Sequence, residues 1–305
     1  MKARFIFNPH SGRNRRNPWL RQRAVDFIRE NGWDATVVST AHPRHATDLA
    51  REAVAEGCEL VVAIGGDGTM NEVATGLVGT SAVFGLIPCG SGNGLGRHLG
   101  IPGPGHGAFR TLLHGRPLAI DTGLVNSAPF FNAMGLGFEA DVSVRFSQLT
   151  SRGLPGYVRS GFGAFFSHQA ETVQVEHEQG SATLDAFTLC VMNSDQYGND
   201  AVIAPRASVV DGRFDLISVP KVGLLPAGGL LVRLFARTFD RSPHVTRIAG
   251  SHFVLTRPKP GWIHTDGEPR AESRRLEIHL LPGSLRVMVP PERAAPTTRE
   301  SAASS

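Results

Sequence analysis

The residues best suited to chemistry in this sequence form a glycine-rich segment at 65–72, which reads Gly-Gly-Asp-Gly-Thr-Met-Asn-Glu. An apolar run at 60–64 precedes it and predicts a buried parallel strand, and apolar residues with helical spacing follow it. A strand, a glycine loop and a helix form a phosphate site, because glycines let backbone amides approach the anion and the helix N-terminus adds positive potential. Asp67 lies in this loop, where a carboxylate could bind the Mg²⁺ of a nucleotide. The alternative is a tight turn in which Asp67 caps the helix.

A second glycine-rich segment follows the next predicted strand, which covers 83–87. Residues 88–97 read Pro-Cys-Gly-Ser-Gly-Asn-Gly-Leu-Gly-Arg, and glycines at alternate positions exclude the interior of a regular helix or strand. Neither segment has the Lys of a Walker A motif, and neither fits the dinucleotide fingerprint G-x-G-x-x-G. We therefore expect backbone amides, hydroxyl groups, a metal ion and arginine to hold the phosphate.

The elements that must position these loops alternate between strand and helix in the first third of the chain. Periodicity predicts strands at 3–7, 35–38, 60–64 and 83–87 and helices near 18–30, 44–56 and 70–78. This order implies a parallel sheet covered on both faces, with ligands bound beyond the carboxyl ends of its strands. Both glycine loops lie at such ends, as do residues 8–12 and Thr40, so four strand ends converge on one crevice.

From about residue 120 the pattern changes to short segments that alternate apolar and polar residues. Such alternation is typical of an antiparallel sheet with one wet face, and only 154–168 and 224–239 read as helices there. We predict an α/β domain at 1–124, a mostly antiparallel β-sandwich domain at 125–290 and a disordered tail at 291–305.

Composition limits the classes of protein that the chain can be. With 41% hydrophobic and 19% charged residues among 305, it reads as a globular protein, and no apolar run reaches transmembrane length. The apolar part of the N-terminus is too short for a signal peptide, and three scattered cysteines favour a reducing cytoplasm. A net charge of +4 is too weak to predict a nucleic-acid partner, but it suits anionic ligands or an anionic membrane surface.

Several of these motifs, in this order, resemble the diacylglycerol kinase catalytic-domain family, which includes bacterial lipid kinases and sphingosine kinases. The resemblance rests on the two glycine loops and on Asp266-Gly267-Glu268, and it extends from Asn8 to about Val289. It implies a nucleotide-binding α/β domain similar to that of NAD kinases, a C-terminal β-sandwich and an active site in the cleft. The implied activity is ATP-dependent phosphorylation of a lipid hydroxyl, with ATP and Mg²⁺ as cofactors.

The resemblance also implies roles for individual residues. Asp67 and Asp121 would belong to the carboxylate and water network around the catalytic Mg²⁺, and Glu268 matches the proton acceptor of bacterial members. Glu268 and Asp67 both qualify as the general base, and Asp121 also reads as a turn residue at a strand end. Contacts with ATP would come from Asn8, Ser11, Thr40, Gly65, Gly66, Asp67, Gly68, Thr69, Met70, Asn71 and Ser91.

Two further sites follow from the resemblance. A structural Mg²⁺ or Ca²⁺ would be held by the Asp211 side chain and by the backbone carbonyls of Ser208 and Arg213. Asp141 matches the sphingosine-kinase residue that binds the head group of the acceptor. Gly94 stands where many bacterial diacylglycerol kinases have Asp, and both features favour a long-chain base or a similar lipid over diacylglycerol.

The predicted partners are a lipid substrate and a membrane surface that the chain contacts peripherally, and a homodimer stays open. The helix at 224–239 carries arginines that suit such a surface, although an amphipathic core helix has the same pattern. Two other functions also stay open. One is an NAD kinase-like enzyme with a soluble acceptor, and the other is a nucleotide-binding sensor without turnover.

Overall fold

The computed structural model describes residues 1–11, 14, 19–147 and 167–293. Its first third contains four strands that lie side by side in the order β2, β1, β3, β4, all parallel. The strands are β1 (Lys2–Phe7), β2 (Asp34–Ser39), β3 (Leu60–Gly65) and β4 (Val83–Pro88). The helices are α1 (Trp19–Glu30), α2 (His45–Ala55), α3 (Asp67–Leu77), α4 (Gly94–His98) and α5 (His106–His114).

Helices cover both faces of this sheet, as the continuous apolar runs predict. All six residues of β3 are buried, and alternate residues face opposite layers. Val61 and Ala63 pack in a cluster with α2 and α3, whereas Val62 and Ile64 pack with α1 and α5. The four predicted strands and three predicted helices are therefore confirmed, and α4 and α5 are additional.

The second part of the chain is mainly antiparallel. Its strands are β5 (Arg116–Val125), β6 (Ala128–Phe130), β7 (Ala133–Gly137), β8 (Glu171–His177), β9 (Gly180–Ala186), β10 (Thr188–Met192), β11 (Phe214–Val219), β12 (Thr246–Gly250), β13 (His252–Thr256), β14 (Gly261–Thr265), β15 (Glu268–Glu272) and β16 (Arg275–Val289). One sheet has the order β12-β11-β10-β7-β14-β15 and packs through a shared apolar core on β16, β13 and β8. The predicted combination of an α/β part and an antiparallel β-sandwich is confirmed.

Strand β16 connects the two parts of the molecule. The sequence predicts two separate strands at 276–280 and 285–289, but one strand runs through both and is irregular between Leu281 and Leu285. Its last residues pair in parallel with β4, so a single ten-stranded sheet extends through both parts. The predicted boundary at 124/125 therefore does not coincide with a break in this sheet.

Two helices complete the second part, α6 (Phe138–Ser147) and α7 (Leu224–Phe235), with short 3-10 turns at Phe239–Arg241 and Pro291–Arg293. The prediction missed α6, because the glycines at 135 and 137 obscure its start. The predicted helix at 154–168 lies almost wholly outside the described residues, as does the predicted tail beyond residue 293. No helix in the described part of the chain is long and apolar enough to cross a bilayer.

Candidate active site

The two glycine-rich segments meet at the carboxyl ends of β3 and β4. Helix α3 begins at Asp67, three residues before the predicted start, so part of the first loop is the first turn of the helix. From this turn the Asp67 carboxylate reaches the second segment, accepting the Asn93 amide on Oδ2 at 3.0 Å and the Gly94 amide on Oδ1 at 3.1 Å. Asp67 therefore links the two loops, whereas a simple helix cap would accept only amides of its own helix.

The second loop is held in shape by its own side chains. Asn93 adopts a left-handed conformation with φ 52°, which Asn tolerates better than most residues. Its side chain closes the turn, accepting the Gly90 amide and donating to the Gly90 carbonyl, both at 2.9 Å. Arg97 donates from Nε to the Gly92 carbonyl at 3.1 Å, and Ser91 lies exposed between these contacts. The loop is therefore organised by contacts within the chain.

The end of β1 brings a third group of predicted residues to the same edge. Asn8 donates from Nδ2 to Thr69 Oγ1 at 2.8 Å, which links β1 to the first turn of α3. Thr40 lies beside them, because its amide donates to the Phe7 carbonyl at 2.9 Å. Asn14, which the sequence analysis missed, is buried and donates to the Asn8 carbonyl at 2.8 Å. Its only sequence signal is an Asn a few residues beyond a strand end.

Polar donors and one acceptor at this edge lack hydrogen-bond partners among the described residues. The first amides of any helix lack acceptors within the helix, and those of α3 face the strand ends. Ser11 Oγ and Asn14 Oδ1 are buried without a hydrogen-bond partner among the described residues. The Met70 amide donates to the Gly66 carbonyl and its side chain is buried in the core, so its contact with ATP stays a prediction. The remaining donors suit the phosphates of a nucleotide.

Glu268 approaches the same helix terminus from the other part of the molecule. It begins β15, directly after a two-residue turn in which Asp266 has φ 51° and Gly267 has φ 85°. Two positive φ angles are the mark of a tight hairpin turn that matches the twist of its strands. A Cβ atom placed on Gly68 would lie 3.0 Å from Glu268 Oε1, so the carboxylate lies over the first turn of α3. The structure therefore brings Asp67 and Glu268 to the same place.

The turn that carries Glu268 is clamped by Asp266. The Asp266 carboxylate accepts three backbone amides, those of Phe131, Asn132 and Ala133, at 2.7–2.8 Å. Burial of the Asp266 carboxylate raises its pKa to about 6, although the three amides and the nearby His264 act in the opposite direction. This clamp fixes the hairpin to the segment between β6 and β7.

His264 is hydrogen-bonded to the turn of the hairpin. Its Nδ1 accepts the Gly267 amide at 3.3 Å, and its Nε2 lies 3.2 Å from Glu139 Oε2. Glu139 belongs to α6 and also accepts the hydroxyl of Thr188 at 2.8 Å. The helix that the sequence analysis missed therefore helps to position Glu268.

Buried amide side chains connect the hairpin to the second glycine loop. Asn132 donates from Nδ2 to the Gln196 carbonyl at 2.8 Å, and its Oδ1 accepts the hydroxyl of Ser194. A Cβ atom on Gly94 would lie 2.8 Å from Asn132 Nδ2 and 3.0 Å from the Tyr197 carbonyl oxygen. An Asp at this position would require the Asn132 side chain and the backbone at Tyr197 to shift, which gives a structural reason for the departure from the bacterial pattern.

Asp121 occupies a different environment from Asp67. It is buried, and it accepts the Gly283 amide on Oδ1 at 2.8 Å and the Gly212 amide on Oδ2 at 2.9 Å. Its carbonyl accepts Asn193 Nδ2 at 2.8 Å, and the same Asn193 nitrogen also donates to the Phe131 carbonyl. Asp121 thus ties β5 to the irregularity of β16 and to the segment of the predicted structural metal, rather than directly to Asp67.

The predicted structural metal segment follows this contact. Asp211 accepts the Arg213 amide on Oδ1 at 3.1 Å, and burial raises the pKa of Asp211, with Asp215 and Asp121 acting in the same direction. In the part of the chain that the structure describes, no three His, Cys, Asp or Glu side chains cluster as a metal centre would require. A site built from the backbone carbonyls of Ser208 and Arg213 stays a prediction.

Asp141, the predicted acceptor ligand, lies in the first turn of α6. Its Oδ2 is 2.7 Å from His168 Nδ1, and its side chain is 38% exposed. Lys221 donates from Nζ to the His168 carbonyl at 3.0 Å. A cationic side chain and an accessible carboxylate therefore lie near one another beside the end of β7.

Comparison with known families agrees with this geometry. Residues 2–125 match the model of the diacylglycerol kinase catalytic domain, and residues 132–289 match that of the YegS C-terminal NAD kinase beta sandwich-like domain. The chain therefore belongs to the diacylglycerol kinase catalytic-domain family, in the group with a YegS-type sandwich, and it is an enzyme of the kinase class.

Individual relatives are similar over nearly the whole chain. A Klebsiella pneumoniae protein named "Probable lipid kinase YegS-like" is 30% identical and aligns over 92% of this chain and 95% of its own length. A Salmonella typhimurium protein named "Probable lipid kinase YegS" is 28% identical over 92% and 95%. The solved structure of a diacylglycerol kinase from Bacillus anthracis has a TM-score of 0.71 at 18% identity and covers 95% of this chain and 97% of that one. That structural likeness shows a shared fold.

Proposed function

We propose that this chain is an ATP-dependent lipid kinase that transfers the γ-phosphate of ATP to a hydroxyl group of a lipid. The single observation that carries the proposal is the junction at Asp67. There, the first turn of α3, the second glycine loop and the Glu268 hairpin meet. Phosphoryl transfer needs mainly positioning and charge stabilisation, and this junction offers backbone amides on one side and a carboxylate on the other.

The nucleotide binds at the edge formed by β1, β3 and β4. The phosphates are held by the amides in the first turn of α3 that have no acceptor within the helix, and by the Ser11 hydroxyl, which has no partner among the described residues. Asn14 Oδ1 is an acceptor with no partner in the described part of the chain, so it suits a ribose hydroxyl or an ordered water rather than a phosphate. Thr40 and Asn8 complete the edge.

Mg²⁺ fits this donor set. Proteins usually bind Mg²⁺ through one or two carboxylates together with substrate phosphates and water, so the site needs no cluster of three protein acids. We assign this role to Asp67, directly or through water, because its carboxylate lies at the helix terminus where the phosphates bind. The bound ion would neutralise charge on the phosphate oxygens.

Glu268 is the better candidate for the proton acceptor. Glu268 carries its carboxylate over the first turn of α3 on a clamped hairpin, beside the place proposed for the phosphates, whereas Asp67 is assigned to Mg²⁺. In the reaction, the lipid hydroxyl oxygen attacks the γ-phosphorus while Glu268 accepts the hydroxyl proton, and ADP leaves. Asp121 acts through the backbone segments that it holds, because it is buried and both its oxygens are engaged.

The acceptor class that we favour is a lipid with a cationic head group, such as a sphingoid base. Asp141 keeps part of its carboxylate exposed and would attract an ammonium group, while an Asp in place of Gly94, as in many bacterial diacylglycerol kinases, would require its neighbours to shift. Diacylglycerol and related lipids stay as the alternative acceptors.

The test is transfer of labelled γ-phosphate from ATP with Mg²⁺ to lipids in mixed micelles. Sphingosine, ceramide, diacylglycerol, monoacylglycerol and phosphatidylglycerol form the panel, with NAD as the soluble control. We expect label in a lipid, most of all in sphingosine. Label in NAD alone would support an NAD kinase-like enzyme, and ATP binding with no transfer to any acceptor would support a sensor.

A further inference from the structure

Helix α7 presents an unusual surface. Only Leu230 of its twelve residues is buried, and five large apolar side chains on it are between 56% and 91% exposed. They are Leu224, Leu225, Leu231, Val232 and Phe235. Leu225 has the largest exposure of these, at 91%. A patch of this kind on a globular protein marks a surface that binds something apolar.

These five side chains share one face of the helix. At 100° per residue they fall within an arc of about 120°, and Gly228 lies inside that arc. Leu230 and Leu234 lie on the other side and pack on the core beside β10 and β11. The helix is therefore fixed to the protein by one side and leaves its more apolar side in solvent.

Cationic residues flank this helix in the sequence. The segment 220–241 contains Lys221 before the helix, Arg233 within it, and Arg237 and Arg241 after it. Its one carboxylate is Asp240, which is paired with Arg206 at 2.9 Å. An apolar face with cations at both ends of its helix complements a bilayer surface with anionic head groups.

We propose that this α7 face docks the protein onto an anionic lipid bilayer, with the apolar side chains inserted at the boundary between head groups and acyl chains. A second copy of the chain is a poorer occupant. In a two-fold dimer the same patch meets itself, so the cations at the ends of α7 in one copy would face the cations at the ends of α7 in the other. Like charges across an interface are unfavourable, whereas anionic head groups would neutralise them.

The position of the α7 face relative to Asp141 also agrees with the proposed function, and this argument rests on that function. Lys221 lies just before α7 and contacts His168, which in turn contacts Asp141. A bilayer on the α7 face would therefore lie beside the carboxylate proposed to bind the acceptor. The docking itself needs no catalytic activity.

The experiment is sedimentation of the full chain with vesicles of equimolar phosphatidylcholine and phosphatidylglycerol, and with vesicles of phosphatidylcholine alone, in the absence of ATP. We expect binding to the anionic vesicles that weakens with salt. Leu225→Glu should weaken it by about tenfold or more, because burial of a Leu side chain contributes that much. Leu113→Glu, at an exposed Leu of α5, is the matched control and should bind as the unchanged protein does.

A second variant tests the charges. Replacing Arg237 and Arg241 together by Gln should weaken binding to anionic vesicles by about tenfold or more, since each cation near such a surface contributes about fivefold. Replacing exposed Arg21 and Arg110 by Gln is the matched control. The proposal is overturned if the unchanged protein does not bind anionic vesicles, or if Leu225→Glu binds as well as Leu113→Glu.

Two measurements separate this proposal from its alternatives. In sedimentation equilibrium without lipid, we expect the unchanged protein and Leu225→Glu to have the same oligomeric state. If the unchanged protein is a dimer, Leu225→Glu is a monomer and vesicles are not bound, the α7 face belongs to an interface with a second copy. Leu225→Glu should phosphorylate a short-chain acceptor in solution normally, but lose activity on vesicles. Vesicle binding by a protein that shows no transfer at all would reject the proposed function and leave the docking face standing.

Discussion

Asp67 and Asp121 make the same kind of contact in two regions of the molecule, since each carboxylate accepts one backbone amide on each oxygen. Asp67 is half-buried at the start of α3, where free helix amides and Glu268 lie beside it. Asp121 is 5% exposed and is enclosed by β5, the segment before β11 and the irregularity of β16. The amide contacts alone therefore do not separate a reactive carboxylate from a structural one.

The space beside each carboxylate makes the difference. Asp67 is half-buried at the strand ends, and the hairpin brings a second carboxylate beside it. Asp121 is buried and holds three backbone segments together. We therefore expect substitutions around Asp67 to change transfer more than stability, and substitutions at Asp121 to do the reverse.

Glu268→Gln should have the largest effect on transfer. Loss of a general base usually lowers the rate by about 100-fold to 10,000-fold, and Gln cannot accept the proton. The exposed position of Glu268 predicts little change in unfolding free energy. The measurement is transfer of labelled phosphate at saturating ATP and lipid, with exposed Glu52→Gln on α2 as the control. Transfer at the unchanged rate would exclude Glu268 as the base.

The raised pKa of Asp266, in the hairpin that carries Glu268, predicts that the stability of the protein depends on pH. Its pKa of about 6 in the folded protein exceeds the ordinary value near 4, so the folded state binds this proton more tightly. The stability that the proton contributes is complete below about pH 4 and is lost as pH rises through about 6. The loss amounts to at most about 3 kcal/mol.

The check is urea unfolding between about pH 4 and pH 7, in steps across the window that linkage defines. Asp266→Asn keeps a side chain that tolerates the positive φ of 51°, but it does not titrate. The variant should therefore lack the part of the pH slope that Asp266 contributes. Equal slopes for the two proteins would mean that Asp266 is ionised throughout, held by its three amides.

Asp121→Asn should reduce stability more than activity. The amide can accept on one oxygen only, so the Gly212 or Gly283 amide would face an NH₂ group, at a cost of about 1–3 kcal/mol. Transfer measured well below the unfolding temperature should fall by less than about tenfold. If Asp121→Asn is stable but loses as much activity as Glu268→Gln, Asp121 takes part in the reaction and is not a purely structural carboxylate.

The sequence predicts the strands and helices around the two glycine loops because the signals there are local. The glycine loops, two buried strands and one helix lie within residues 60–97, so their order predicts that the loops share one sheet edge. The sequence predicts the start of α3 at residue 70, three residues after its actual start at Asp67, because glycines have low helix propensity.

The contacts that hold Asp121 and the Glu268 hairpin in place could not be predicted, because they join residues far apart in the chain. Asp266 binds amides of 131–133, and Asp121 binds the amide of Gly283. Asn132 and Asn193 read as ordinary polar residues until strands β7 and β10 pair and bury them. The crossing of β16 to β4 likewise depends on tertiary packing rather than on local pattern.

The most direct test of the account compares Asp67→Asn with the unchanged protein in the labelled transfer assay. Asn at this position lacks the charge and cannot accept both loop amides, so we predict that transfer to lipid falls by about 100-fold or more. The unfolding free energy should change by about 1 kcal/mol, the usual contribution of one hydrogen bond. Transfer by Asp67→Asn at the rate of the unchanged protein would contradict the claim that the junction at Asp67 is the reaction centre.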